Sequence, residues 1–165
     1  SARPGWSPAS CVSAALGCCK ATRCSVPAGM APPAVRETAP VNVHFPGFVS
    51  ADEYTRLRAG AGVVLALTNQ EMTMQSAGYE ALADQTPLVT SPRRVLKEFF
   101  GDSAEYAESD GESIAEAIEA VFADHEMRSE KMAARRQRQV RDQVAVIEAI
   151  RAKAAALRES SVVRR

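Results

Sequence analysis

Short apolar runs alternate with amphipathic stretches between Asn42 and Phe122. The runs have the length and the residue types of strands, and the clearest of them, Val63 to Leu67, is continuously apolar, as a strand buried on both faces would be. Glycine and proline turn signals, such as Pro46-Gly47, separate the runs from the amphipathic stretches. The pattern predicts strands at residues 41–45, 63–67, 88–90 and 104–107.

The stretches between these runs carry helix signals. Ser50 and Glu53 form a capping box, in which each side chain bonds to the other residue's backbone N–H at a helix start, and Ser109 and Glu112 repeat it. We expect helices at residues 50–60, 74–83, 95–100 and 109–122. Strands and helices alternating at this interval predict an α/β fold, namely a Rossmann-like three-layer sandwich with a parallel sheet.

The C-terminal region has a different pattern. From Glu126 to about Glu159 there is no glycine or proline, which predicts one long helix. Its narrow apolar stripe is able to pack across the α/β body or to pair with another helix. We favour packing on the body or on a missing domain, because the stripe is short for an independent coiled coil. The stripe consists of Val140, Val144, Ile147, Ile150, Ala154 and Leu157.

The first 32 residues show neither the apolar period of a strand nor that of a helix. All four cysteines lie there, without the paired spacing or the nearby histidines of a zinc site, and the cysteine-free remainder is large enough to fold without disulfides. We therefore expect three regions: an irregular lead-in over 1–32, a Rossmann-like domain over 33–125, and a C-terminal helix and tail over 126–165. Because the chain starts at Ser1 rather than at Met, we also expect it to be part of a longer protein.

Charge is distributed unevenly along the chain. Residues 126–165 hold 11 Lys/Arg and 5 Asp/Glu, whereas residues 1–125 hold 9 and 15. The basic residues of the tail are interleaved with Ala and Gln and have no aromatic partners, which favours a solvated helix face over a nucleic-acid site. No apolar run approaches the roughly 20 residues of a membrane span. We expect a cytoplasmic location, with peripheral contact at the inner membrane face left open.

The most informative acidic residue is Glu80, in the segment Gly78-Tyr79-Glu80-Ala81-Leu82-Ala83. This segment opens a helix just beyond the carboxyl end of a predicted parallel strand, where open α/β sheets bind ligands. A carboxylate there suggests a ligand with hydroxyl groups. The two histidines, His44 and His125, fall at a strand and at a helix end, and we interpret both as structural or solvated.

Four segments together resemble the C-terminal half of family 4 glycosyltransferases of the GT-B fold. The resemblance covers about residues 33–138, and its most specific part is the pattern E-A-[LM]-A-x-x-x-P-[LV]-V, which begins here at Glu80. In order, the segments are residues 42–50, 63–67, 78–91 and 112–122.

The resemblance implies a nucleotide-sugar donor site in this domain. In the family, two acidic residues eight positions apart contact the donor, and Glu80 matches the second, which binds the ribose hydroxyls. The position eight residues earlier is Met72, so the neighbouring Glu71 is the expected substitute near the donor sugar and the candidate catalytic residue. The other expected donor contacts are Thr73, Met74 and Gln75 at the helix opening, for the pyrophosphate, and Phe48 and Val49, for the nucleobase.

The implied reaction is a retaining, metal-independent transfer of a hexose-type sugar, with a UDP-sugar as the favoured substrate and no cofactor. Neither the family's phosphate-binding basic residues nor its acceptor domain is recognisable in this sequence. We therefore expect a donor-binding half that needs an N-terminal acceptor domain or a partner subunit for transfer. The alternative is a non-enzymatic nucleotide-binding module or partner subunit.

Overall fold

A computed structural model describes residues 12–14, 24–25, 33–39 and 41–162. The strands within these residues are β1 (Val12–Ala14), β2 (Cys24–Ser25), β3 (Val43–His44), β4 (Val63–Ala66), β5 (Leu88–Thr90) and β6 (Glu105–Tyr106). The helices are α1 (Pro33–Thr38), α2 (Ala51–Ala59), α3 (Ser76–Asp84), α4 (Arg94–Phe100), α5 (Gly111–Ala123) and α6 (His125–Val162), with a 3-10 turn at Gly101–Ser103.

The strands form one mixed sheet in the order β3-β2-β1-β4-β5-β6. Strands β4, β5 and β6 are parallel, with Val64 opposite Leu88 and Val89 opposite Glu105. The helices α3 and α4 connect them, so the predicted Rossmann-like α/β layout is confirmed for this part.

On the side of β4 away from β5, the sheet is not parallel throughout, as the sequence pattern had predicted it to be. Strand β1 runs antiparallel to both β4 and β2, while β2 and β3 are parallel to each other. Both β1 and β2 lie in the segment 1–32, for which the sequence shows no strand period. The remainder of that lead-in lies outside the described residues.

Helices cover both faces of the central strands, and this explains why β4 and β5 are apolar throughout. Every residue of β4 and of β5 is buried. Val64 and Ala66 point towards α3, α4 and α6, where Leu82 and Phe100 complete the core. The alternate residues of β4 point towards the buried inner side of α5. The core therefore has two compartments, one on each face of the sheet.

Capping fixes where two of the helices begin. The Ser50 hydroxyl accepts a hydrogen bond from the Glu53 N–H at 3.2 Å, so the predicted cap of α2 is confirmed. The predicted cap of α5 at Ser109 is wrong by one residue. Asp110 accepts from the Ser113 N–H at 2.9 Å, and the Ser113 hydroxyl in turn accepts from the Glu108 N–H at 3.0 Å.

Only the first part of α6 packs on the body. Met132 is completely buried among the core residues beneath α3 and α4. Arg135 donates to the Phe99 carbonyl, and its guanidinium lies 4.1 Å from the centroid of the Phe99 ring. The apolar stripe from Val140 to Leu157 is exposed, so the expectation that it packs on the body is wrong for the described residues, whereas packing on a missing domain stays a prediction.

None of the helices in the described part of the chain is both long enough and apolar enough to cross a bilayer. The long helix α6 fails on composition rather than on length, because charged residues interrupt its apolar positions throughout.

Candidate functional site

Buried polar groups tie together the ends of the parallel strands. The Thr68 N–H donates to the Ser91 hydroxyl at 2.8 Å, and the Thr90 hydroxyl donates to the Ala66 carbonyl at 2.7 Å. The Gln70 N–H donates to the Thr68 hydroxyl at 3.1 Å. Thr68, Thr90 and Ser91 are buried. Because buried polar groups of this kind are satisfied internally, they fix the loops after β4 and β5 at the carboxyl edge of the sheet.

Arg93 connects three loops at this edge. Its Nε donates to the Thr68 carbonyl at 3.2 Å. Its two terminal nitrogens lie 3.6 Å from Glu71 Oε1 and 3.8 Å from Glu108 Oε2. Both distances exceed those of hydrogen bonds, so the guanidinium is anchored at Nε while its terminal N–H groups remain donors at a partly exposed surface.

Glu71 lies on the side of the site next to α4. Its Oε2 accepts a hydrogen bond from the backbone N–H of Arg94, the first residue of α4, at 3.1 Å. A carboxylate at a helix amino terminus is stabilised by the helix dipole. The side chain is 59% exposed, so Glu71 remains accessible from solvent.

Glu80 lies on α3 and contacts α2. The Tyr54 hydroxyl donates to Glu80 Oε2 at 2.5 Å, and a terminal nitrogen of Arg58 lies 3.6 Å from the same oxygen. Arg58 also forms a bidentate ion pair with Asp84, one turn further along α3. Its Nε lies 3.0 Å from Asp84 Oδ2, and a terminal nitrogen donates to Oδ1 at 3.2 Å. Glu80 is therefore held in place by α2, and the contacts described for it leave Oε1 as an acceptor.

The two acidic residues of the predicted donor site thus face different neighbours. Glu71 contacts Arg93 and Arg94, whereas Glu80 contacts Tyr54 and Arg58, and the contacts described for the two carboxylates include no common partner. The structure does not bring their side chains into contact. That both contact one donor molecule remains a prediction.

The residues predicted at the helix opening have separate environments. The Thr73 hydroxyl donates to Gln70 Oε1 at 3.1 Å. Gln75 is the N-cap residue of α3; its amide nitrogen donates to the Leu67 carbonyl, while its Oε1 is buried without a partner among the described residues. The side chain of Met74 is partly buried and packs against the core, while the predicted contact of the backbone N–H groups at this helix opening with the donor remains a prediction.

The predicted nucleobase contacts lie in the turn before α2. Gly47 has a φ of +73°, a conformation that favours glycine, and the side chain of the next residue, Phe48, is 88% exposed. Val49 is partly buried. The exposed aromatic ring of Phe48, close to the N-cap of α2, is available for stacking with a planar ligand.

The histidines lie away from the carboxyl edge or in solvent. His125 Nε2 is 2.8 Å from the Gly62 carbonyl, just before the amino end of β4, and the ring stacks on Phe122. This confirms its structural role. His44 is exposed. Among the described residues, no three His, Cys, Asp or Glu side chains are grouped as metal ligands.

Four residues of this site were not found by sequence reasoning: Tyr54, Arg58, Arg93 and Glu108. The first two are four residues apart on the inner face of α2, a spacing that places them on one side of the helix. Arg93 comes shortly after β5, a position that marks the carboxyl edge. Glu108 had no signal, because its role depends on where the β6–α5 loop meets Arg93.

Comparison with known protein families gives one match. The model of a family described as glycosyl transferase-like matches residues 23–152, which include β2 to β6, α1 to α5, every residue of the site and most of α6. Comparisons with curated proteins and with solved structures gave no match. The family match confirms the resemblance to glycosyltransferases in general and implies the use of a nucleotide-sugar donor. Because the match spans well over half of the chain, this protein belongs to the glycosyl transferase-like family.

Proposed function

We propose that this chain is the donor-binding half of a family 4 glycosyltransferase of the GT-B fold, and that it binds a nucleotide sugar at the carboxyl edge of β4, β5 and β6. The observation that carries the proposal is the geometry of Glu80. Its carboxylate belongs to the most family-specific segment, is fixed by Tyr54 and Arg58, and retains Oε1 as an acceptor.

The ribose of the donor is assigned to Glu80. A ribose diol offers two hydroxyl donors, and an ionised carboxylate accepts them through charge-assisted hydrogen bonds. Because the Tyr54 hydroxyl already holds Oε2 at 2.5 Å, the side chain does not have to be ordered when the ligand binds. Preorganisation of this kind increases affinity by lowering the entropic cost of association.

The diphosphate is assigned to Arg93 and to the amino end of α3. The sequence showed none of the basic residues that counter the donor phosphates in the family, and Arg93 supplies such a charge from a different loop. Its terminal nitrogens face Glu71 and Glu108 at distances too long for hydrogen bonds. A phosphate oxygen within about 3 Å of these nitrogens would therefore bind the guanidinium more strongly than either carboxylate does. Glu71 then lies beside the diphosphate, where the donor sugar begins.

The nucleobase is assigned to Phe48, whose exposed ring offers a stacking surface. A UDP-sugar remains the favoured donor, on the strength of the family resemblance. Charge stabilisation in this arrangement comes from Arg93 and the helix amino end rather than from a metal ion, consistent with the metal-independent reaction expected of the family.

Sugar transfer requires more than donor binding. The reacting atoms of donor and acceptor must be held about 3 to 3.5 Å apart. The GT-B resemblance assigns the acceptor to another domain, so in this proposal residues 33–138 bind the donor and an acceptor domain or a partner subunit completes the reaction. We expect this chain alone to release nucleotide from a panel of nucleotide sugars no faster than its Glu80→Ala variant.

Calorimetric titration with nucleotide diphosphates and nucleotide sugars tests the binding proposal. Glu80→Gln should weaken binding of both ligand classes by about 1 to 3 kcal/mol, the range for loss of a charge-assisted hydrogen bond. Glu119→Gln is the matched control, because Glu119 lies on α5, away from the proposed site, and the substitution should leave affinity unchanged. Equal affinity of the wild type and Glu80→Gln would overturn the proposal.

A second variant separates the two acidic residues. Glu71→Gln should weaken nucleotide-sugar binding more than binding of the bare nucleotide, because Glu71 is assigned to the sugar. If Glu71→Gln has no effect on either ligand while Glu80→Gln weakens both equally, the chain is a nucleotide-binding module rather than a donor site. Copurification of a second chain would support the partner-subunit alternative.

A further inference from the structure

The Glu108 carboxylate lies beside Arg93 and depends on that one contact. Its Oε2 is 3.8 Å from a terminal nitrogen of Arg93, and the side chain is 61% exposed. Among the residues that the structure describes, no second hydrogen bond or ion pair to this carboxylate is found. An exposed ion pair contributes little to stability, so the Glu108 side chain is free to leave the guanidinium.

The backbone that carries Glu108, in contrast, is fixed. The N–H of Glu108 donates to the Ser113 hydroxyl at 3.0 Å. The N–H of the preceding residue, Ala107, donates to the Thr90 carbonyl at 2.9 Å, and Ala107 is buried. The β6–α5 loop therefore keeps Glu108 next to Arg93, and only the side chain has to rotate for the carboxylate to turn towards the guanidinium or away from it.

Glu71, the other carboxylate beside Arg93, is held differently. Its Oε1 is 3.6 Å from a terminal nitrogen of Arg93, while its Oε2 accepts a hydrogen bond from the Arg94 N–H at 3.1 Å. The amino end of α4 thus stabilises Glu71 independently of Arg93. Of the two carboxylates, Glu108 is the one that Arg93 alone retains among the described contacts.

We propose that Glu108 is a displaceable counter-ion of Arg93, which the diphosphate of the donor replaces when it binds. This inference rests on the proposed function, and it adds a residue of the β6–α5 loop that lowers the affinity of the site for diphosphates. In the free protein the carboxylate partly neutralises the guanidinium. In the complex, phosphate oxygens occupy the terminal nitrogens and the Glu108 side chain turns into solvent.

Two electrostatic effects give Glu108 this role. The diphosphate has to break the contact between Glu108 and Arg93, which costs little because the pair is exposed. The carboxylate and the diphosphate are also like charges beside one guanidinium, so they repel each other well within a Debye length. Binding still proceeds, because charge-assisted hydrogen bonds from Arg93 to phosphate are shorter and stronger than the 3.8 Å contact that they replace.

The counter-ion affects which anions occupy the site. A simple anion that contacts only Arg93 gains little by displacing Glu108. A nucleotide diphosphate also contacts Glu80 and Phe48 in the proposed arrangement, and these contacts offset the cost of the displacement. The same weakening shortens the time for which the nucleotide diphosphate left after sugar transfer stays bound.

Calorimetric titration of the full chain with UDP tests the proposal. Glu108→Gln keeps the size of the side chain and removes its charge, so it should bind UDP about three- to tenfold more tightly than the wild type. Uridine has no phosphate, and its affinity, measured by competition with UDP, should stay the same. Glu116→Gln is the matched control, because it removes one negative charge from an exposed position further along α5 and should bind UDP like the wild type.

A second background shows whether the gain depends on the guanidinium. In Arg93→Gln the carboxylate has no cation to neutralise, so adding Glu108→Gln should change UDP affinity by less than about twofold. Thermal melting checks that Arg93→Gln is folded. If it is not, Arg93→Lys replaces it, and the gain from Glu108→Gln should be smaller there than in the wild type, because lysine lacks the second terminal nitrogen.

The outcomes separate this inference from the proposed function. Equal or weaker UDP binding by Glu108→Gln would overturn the inference alone, because the wild type would still bind UDP. A gain of the same size in Glu116→Gln would show a general effect of net charge, and a gain for uridine would place the effect of Glu108 away from the phosphates, so either would overturn it. If neither the wild type nor Glu108→Gln binds UDP, the proposed function fails and this inference fails with it.

Discussion

The first half of α6 packs on the body, whereas the second half, from Val140 to Leu157, projects from it with its aliphatic residues exposed. The helix is continuous across this change, and no glycine or proline marks it. The apolar period is clearest in the projecting half, which contributes nothing to the described core. The comparison teaches that apolar periodicity shows which face of a helix can be buried, but not which partner buries it.

The anchored half uses few apolar residues. Met132 enters the core, while Arg128 pairs with Glu105 at 2.5 Å and Lys131 pairs with Asp102 at 3.2 Å. The Arg135 guanidinium lies over the Phe99 ring. Long basic side chains cover apolar surface with their stems while their charged ends reach solvent or a carboxylate, so a basic stretch of sequence conceals a packed interface.

The largest expected difference between the two halves is in core packing. Met132→Ala should lower the free energy of unfolding by about 2 to 5 kcal/mol, because it leaves a cavity in a fully buried position. Ile147→Ala, the matched truncation in the projecting half, should change it by less than about 0.5 kcal/mol in dilute solution. Urea denaturation at low protein concentration measures both.

The contrast between the two halves of α6 would be contradicted if Met132→Ala and Ile147→Ala lowered the free energy of unfolding by similar amounts. A large loss for Ile147→Ala would mean that the second half of α6 is part of the folded core in solution.

A smaller difference is expected for the arginines. Arg135→Lys should lower the free energy of unfolding by about 1 to 2 kcal/mol, because lysine has neither a planar guanidinium to stack on Phe99 nor an Nε donor for its carbonyl. Arg141→Lys changes an exposed arginine of the same helix and should have no measurable effect. Urea denaturation measures both variants. Equal denaturation midpoints for Arg135→Lys and the wild type would show that stacking on Phe99 does not anchor the helix.

A further difference concerns alkaline pH, at the contact between the anchored half of α6 and strand β6, which contains Tyr106. Burial, followed by the nearby carboxylates of Asp102 and Glu105, raises the pKa of Tyr106 to about 12. These carboxylates are the partners of Lys131 and Arg128. In the unfolded chain the phenol ionises at its ordinary pKa of about 10. Its contribution to stability is therefore fully present below about pH 10 and is lost as the pH rises towards 12.

Denaturation at a series of pH values measures this loss. Tyr106→Phe should flatten the decline between about pH 10 and 12, whereas Tyr79→Phe, which removes the hydroxyl of a more exposed tyrosine, should retain it. An unchanged decline in Tyr106→Phe would show that another group is responsible.

Much of the sheet was predictable, because β4 and β5 are continuous apolar runs between turn signals and the pattern places α3 and α5 beside them. Strands β1 and β2 were not, since strands of three and two residues carry no period and depend on pairing with β4 and β3. In the site, the family pattern identified Glu80. Its partners Tyr54 and Arg58 lie more than 20 residues earlier on another helix, so only the tertiary structure shows that they hold it.

Arg93 illustrates the same limit. Its contacts come from the loops after β4 and β6, and no local pattern in either loop points to the other. The strand pattern predicted where β4 and β5 end, but it could not show that the Arg93 side chain lies between the loops that follow them.

The central claim is that a nucleotide-sugar donor binds at this edge, and amide chemical-shift mapping during titration with a UDP-sugar tests it most directly. We predict that saturable shifts will occur at residues 68–75 and 91–93 and around Glu80, and that the same titration of Glu80→Gln will require a higher ligand concentration. The amides of Val140 to Leu157 should not respond. The account would be contradicted by shifts confined to α6, or by a spectrum that does not change at any ligand concentration.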